Sequence, residues 1–288
     1  MNRLTAIALA AWAFFAAGGV PSVPTILRTA RSSSADLEVS GQWAELGAGS
    51  VRYVSYEDLL HLPQVTYTVT DDTNFSGPTQ VTGVLLEQLG SALGAATDSN
   101  LVVAICSDGY RSNYPHEYIE QHHPLLVLKI NGKSPAELPA PHGGGSLGPY
   151  LISHAKFTPS FKVLSHFDEP QIPFAVTRVE FRNQREVFGA IQPRVDSPPD
   201  SKVEMGYRIA RQNCYRCHNM GEEGGRMAER PWLVLSAWAA SDPAHFDHYV
   251  HDPKSVNPAA RMPGNPQYDD ATIDALRAYF ASFTARPN

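Results

Sequence analysis

The sequence predicts an α+β domain over residues 42–192 followed by an all-helical domain over residues 203–288. Three observations carry this reading. Short apolar runs bounded by turn residues fill the first two thirds of the chain. A polar, proline-rich stretch, 193–202, interrupts it and cannot pack a core. Beyond that stretch the apolar spacing becomes helical. The length of 288 residues suits about two domains.

The elements follow in order. Leu4–Ala17 is an apolar run of about 14 residues, shorter than the ~20 a spanning helix needs. Residues 1–27 therefore read as a signal peptide or an N-terminal anchor, and only Arg3 precedes the run, so a twin-arginine signal is absent. Serine-rich residues 28–41 read as a tether. Strands are expected at 51–55, 66–69, 101–105, 124–130, 147–153 and 174–181, and helices at 56–60 and 81–93. Asn131-Gly132 marks a turn. Thr177, Val179 and Phe181 alternate with Arg178 and Glu180, as in a half-buried strand. After the linker, helices are expected at 203–213 and 271–283. In the second of these, Ile273, Leu276, Tyr279 and Phe280 share one face.

Composition narrows the function. Hydrophobic residues make up 43% and charged residues 18%, a globular balance. The net charge of −6 gives no basic excess, which argues against nucleic acid as a partner. Three cysteines are too few for a disulfide scaffold.

Two of them lie in Cys214-Tyr215-Arg216-Cys217-His218, the pattern C-x-x-C-H. Each thiol can add across one haem vinyl group, and the adjacent histidine then ligates the iron. No second C-x-x-C exists to complete a four-cysteine zinc site. One covalent haem c is expected, with His218 as proximal ligand. Met262, in the rigid Arg261-Met262-Pro263-Gly264 stretch, is the expected sixth ligand. Met220 and Met227 lie too near His218 in sequence to cross easily to the opposite haem face.

Residues 203–283 resemble the small class I cytochromes c in Glu204-Met205-Gly206, Cys214–His218, Met262-Pro263 and the helix Leu276–Phe280. The resemblance implies a close crossing of the first and last helices at Gly206 and Tyr279. It also implies that the Pro231 carbonyl accepts the proximal histidine's ring N–H. Ala210 departs from the family's usual large aromatic.

In the first domain, Val103–Tyr110 (VAICSDGY) is similar to a stretch of the sulfite-oxidase-like molybdopterin domains, in which an apolar strand delivers a metal-binding cysteine. YEDLLHLP at 56–63, VTGVLLEQL at 81–89, Ile130-Asn131-Gly132 and Gly148–Ile152 resemble other segments of that family. The resemblance implies Cys106 as a possible molybdenum ligand. A buried structural thiol is the preferred reading, because that pterin is inserted before export of a folded chain and the twin arginine is missing.

Other constellations have plainer readings. His142–Gly145 and the G-x-S-x-G match at 144–148 fall among prolines and read as a loop. His245, His248 and His251 read as a solvated helix face, His116, His122 and His123 as loop histidines, and Asp71-Asp72 as a solvated turn. The sequence thus points to an exported c-type cytochrome that transfers single electrons to or from a redox partner protein, with a possible membrane tether at its N-terminus. One alternative is a molybdopterin oxidoreductase acting on a small oxyanion or sulfoxide. Another is a module that docks the cytochrome onto a redox complex.

Overall fold

A computed structural model describes residues 24–70, 72–141, 145–155, 171–194 and 196–284. The expected signal segment lies almost wholly outside them. Among the described residues no helix is long and apolar enough to cross a membrane.

Two sheets form the first part. One has five strands in the order β2 (Arg52–Val54), β1 (Leu37–Gly41), β9 (Val176–Arg182), β5 (Leu101–Cys106), β6 (Arg111–Pro115). The other has four, β3 (Val65–Val69), β4 (Thr79–Leu85), β7 (Pro124–Ile130), β8 (Leu151–His154). All neighbours are antiparallel except β1 and β9, which run parallel with Val39 opposite Val179. Facing sides of the sheets bury Leu37, Val39, Val102, Ala104, Leu126 and Leu128 in one core. Helices α1 (Tyr56–Leu60), α2 (Leu86–Leu93) and α3 (His116–His122) add Leu59, Leu89 and Ile119.

The uniformly apolar β5 is explained by burial on both faces. Val102, Ala104 and Cys106 point into the intersheet core. Leu101, Val103 and Ile105 point the other way, against Val187 and Phe188 of α4 (Gln184–Gly189) and the helices beyond the linker. Those helices are α5 (Lys202–Ile209), α6 (Trp232–Ser241), α7 (Pro243–His251), α8 (Pro253–Val256) and α9 (Asp270–Ser282), with a small ladder of β10 (Asn219–Met220) and β11 (Glu223–Gly224). Gly206 lets α5 cross α9 closely: a Cβ there would sit 2.0 Å from the Ala275 carbonyl oxygen and 2.7 Å from Tyr279 Cβ.

Several expectations change. The stretch read as a tether contains β1, because Leu37 and Val39 alternate toward the core within a polar surround. Arg28 also exchanges backbone hydrogen bonds of 2.9 Å with Tyr53. The first half of the helix expected at 81–93 is β4, whose Val81 and Val84 serve opposite faces of the second sheet. His116 and His122 lie on a helix and not in a loop, with His122 buried and His123 in the left-handed cap. Asp72 is buried and not a solvated turn residue, while Asp71 lies outside the described residues. Residues 193–202 separate elements but not cores, since β5 and α4 pack directly on the C-terminal helices.

Candidate functional site

The C-x-x-C-H segment follows α5 without a break. The helix widens into a π-helical turn, Ala210–Cys214, in which the Tyr215 amide donates to the Ala210 carbonyl at 3.0 Å. The Cys214 carbonyl then accepts from the amides of both Cys217 (3.2 Å) and His218 (3.0 Å). That single turn brings the two thiols and the imidazole to the same region of the fold. None of the three cysteines forms a disulfide.

The histidine is fixed from behind. His218 Nδ1 donates to the Arg230 carbonyl oxygen at 2.6 Å, which places the ring proton on Nδ1 and the lone pair on Nε2. Burial pushes the imidazole pKa below its ordinary value, so the ring is neutral and suited to ligation. The acceptor is therefore Arg230 and not Pro231, the expected residue. Pro231, one position later, caps α6 with an extended backbone of its own. The Arg230 side chain is held as well: its guanidinium carbon lies 4.8 Å from the Trp238 ring centre and 5.4 Å from that of Tyr249.

A cavity of about 280 Å³ opens in front of these groups. Cys214, Cys217, His218 and Met262 all line it, and Leu235, Phe246 and Phe280 supply apolar wall. Met262 thus reaches the site from a distant part of the sequence. Met227 lines the same cavity and lies 3.9 Å, sulfur to sulfur, from Cys217. Met220 instead packs on the helical core. The donor set fits a covalently held haem: two thiols and one oriented imidazole on one turn, a thioether in the same walls, and apolar side chains beside them. Burial pushes the Cys217 thiol up to about 11, partly offset by the Arg216 guanidinium.

The Cys106 turn lies against this loop. Arg111 donates its amide to the Arg216 carbonyl, and Arg226 donates its amide to the Gly109 carbonyl, both at 2.9 Å. Within the C-terminal part, Gly225 lets the chain after β11 lie directly on the motif, since a Cβ there would sit 1.8 Å from the Arg216 carbonyl oxygen. Arg111 pairs with Glu180 (3.3 Å) and Glu223 (3.2 Å), and Arg182 with Glu180 (3.2 Å) and Glu223 (2.5 Å). This four-charge cluster joins β6 and β9 to the β10–β11 hairpin. Sequence reasoning missed it because its members lie far apart in the chain and no local spacing links them.

Cys106 is 6% exposed, and burial holds its thiol well above the usual range. It borders a second cavity, of about 640 Å³, whose walls include Arg111, Arg182, Glu180 and Glu223. The arginines there are already paired with the chain's own carboxylates. One protonated soft donor among satisfied charges is a poor match to an anionic metal-pterin group.

Other candidates do not assemble into a site. His245 packs edge-on against Trp238, and His248 Nε2 shares a 2.8 Å hydrogen bond with Ser255 Oγ. Among the described residues no group of three or more His, Cys, Asp or Glu is disposed to hold a metal ion. His142–Gly144 lie outside the described residues, and Ser146 Oγ accepts from the Gly148 amide within a loop.

No protein-family model and no curated protein matches the chain. Among solved structures, the crystal structure of the sulfane dehydrogenase SoxCD from Paracoccus pantotrophus is similar to it, with a TM-score of 0.35 and 15% identity. That alignment covers 56% of this chain and 43% of the other, so this chain spans less than half the length of the protein it matches.

Proposed function

We propose that the protein is an exported c-type cytochrome that transfers single electrons. The observation that carries the reading is the cavity whose walls combine Cys214, Cys217, His218 and Met262. A haem bound there would supply an iron that gains and loses one electron. The chain's own residues do the rest. Cys214 and Cys217 would tether the ring and His218 would present Nε2, with the Arg230 carbonyl holding the imidazole in that tautomer. Met262, in the same walls, would offer its thioether as a further iron ligand, and an iron so held favours a carrier over a peroxidase. Leu235, Phe246 and Phe280 would place apolar surface against the ring, which favours the less charged, reduced state. The test is haem content after expression with haem-attachment machinery. The haem should resist acid-acetone extraction in the parent and be lost from the double variant Cys214→Ala, Cys217→Ala. Haem extracted freely from the parent would sink the proposal.

A second reading, a molybdopterin oxidoreductase, is favoured by one observation: Cys106 borders the cavity of about 640 Å³. The ion pairs filling that cavity and the buried, protonated thiol weigh against it. Elemental analysis separates the two, since stoichiometric molybdenum that disappears in Cys106→Ala would make the enzyme reading primary.

A further inference from the structure

Arg216 stands between the two cysteines of the attachment motif, and three contacts fix it. Its Nε donates to the Gln212 carbonyl at 2.6 Å, on the same helical turn. One terminal nitrogen donates to Tyr110 Oη at 3.3 Å. Its own carbonyl accepts from the Arg111 amide at 2.9 Å. Two of these three partners belong to the Cys106–Arg111 turn of the first part of the molecule. Tyr110 is itself placed by that turn, where its amide donates to Asp108 Oδ1 at 3.0 Å. The Asp108 carboxylate is the nearest opposing charge on the turn, and it is exposed, where water and salt screen it. Arg216 is half-buried and adjoins Cys217, which lines the cavity, while Tyr110 packs against the intersheet core.

We infer that Arg216 and Tyr110 form a positioning pair, through which the α+β part holds a positive charge beside the redox group and raises its reduction potential. The inference rests on the haem reading above. Its physics is general. A fixed positive charge near a site that gains an electron favours the reduced form, and the effect grows as the surroundings become less polar. The pair touches no substrate. It acts through the place it gives to one guanidinium.

The experiment measures the midpoint potential of haem-loaded protein by spectroelectrochemistry, after covalent haem content has been checked. Arg216→Gln should lower the potential, and Arg216→Lys should restore most of it, because Lys keeps the charge. Tyr110→Phe should lower the potential by a smaller amount, because the guanidinium loses the partner that aims it. In all three variants the absorption spectrum should keep the parent's ligation features. An unchanged potential in Arg216→Gln overturns the inference, as does an equal fall in Arg216→Lys, which would make the effect one of loop structure. A fall in Arg216→Gln with no change in Tyr110→Phe overturns the part assigned to the α+β domain. A parent that carries no covalent haem overturns the underlying reading and this inference with it, an outcome distinct from the other three.

Discussion

Burial raises the Asp72 pKa to about 6, against an ordinary 3.8, and its partners are the Asn74 amide at 2.8 Å and Ser153 Oγ at 3.5 Å. Between about pH 4 and pH 6 the folded state holds a proton that the unfolded state has released. This group's contribution to stability therefore falls as pH rises through that window, by up to about 3 kcal/mol. Asp72→Asn should remove the slope and be the more stable protein near pH 7. Urea unfolding at pH 4.5 and pH 7 checks this, and an unaltered slope would count against it. Met262 is the second residue to test. Met262→Ala should abolish the near-infrared sulfur-to-iron band of the oxidised protein and lower its potential. Met227→Ala is the necessary control, since Met227 lines the same cavity. If the band vanishes in Met227→Ala and survives in Met262→Ala, the ligand is Met227. The common placement of the cysteines and His218 was legible because five consecutive residues form a single turn. Arg230 was not, because a carbonyl acceptor leaves no mark in side-chain identity.

Elements were legible where one periodicity governed them. In α9, Ile273, Leu276, Tyr279 and Phe280 are all buried, as their spacing requires. The Asn131-Gly132 turn also follows from its residues, since both adopt positive φ (49° and 81°). β4 and α2 were not separable by pattern: Val81–Leu93 is apolar enough for either, and the switch at Leu85 to Leu86 is set by pairing with β7. β6 hid for another reason. Its sequence, RSNYP, has little strand character, yet every residue in it is buried, Tyr114 in the intersheet core, Asn113 against Gln171 and Arg111 against Glu180 and Glu223. The close crossing at Gly206 makes a sharp prediction. Gly206→Ala places a methyl against the Ala275 carbonyl and Tyr279, so α5 and α9 must separate, at a cost of about 2–3 kcal/mol. Thermal and urea unfolding of Gly206→Ala would show it, and an effect near zero would mean that the helices shift without penalty.

The linker composition suggested two independent bodies, but at the scale of the whole molecule the helical core extends into β5 and α4. Leu101 and Val103 share one buried cluster with Tyr215, Trp232 and Phe280. Hydrogen bonds cross at the same place, from Tyr215 Oη to the Val187 carbonyl at 3.0 Å and from Tyr279 Oη to the Ile191 carbonyl. Local pattern could not reveal this, because an apolar strand reads alike whether its second face meets a helix of its own domain or of the next. Unfolding should accordingly be one cooperative transition. Val103→Ala and Phe280→Ala, though far apart in sequence, should each lower that same transition, by roughly 2 and 4 kcal/mol. Two separable melts, each moved by only one variant, would contradict it. The parallel pairing of β1 with β9 has a consequence in time. The five-stranded sheet has β9 at its centre, bonded to both β1 and β5, so its strands wait for residues 176–182 before they can close. A chain that appears from its N-terminus must hold more than a hundred residues open, a loop whose closure is entropically slow. By the time the central strand arrives, the cysteine pair is only a few dozen residues behind. Sheet closure thus falls late in the life of the nascent chain, close to the moment at which the Cys214–His218 turn itself appears.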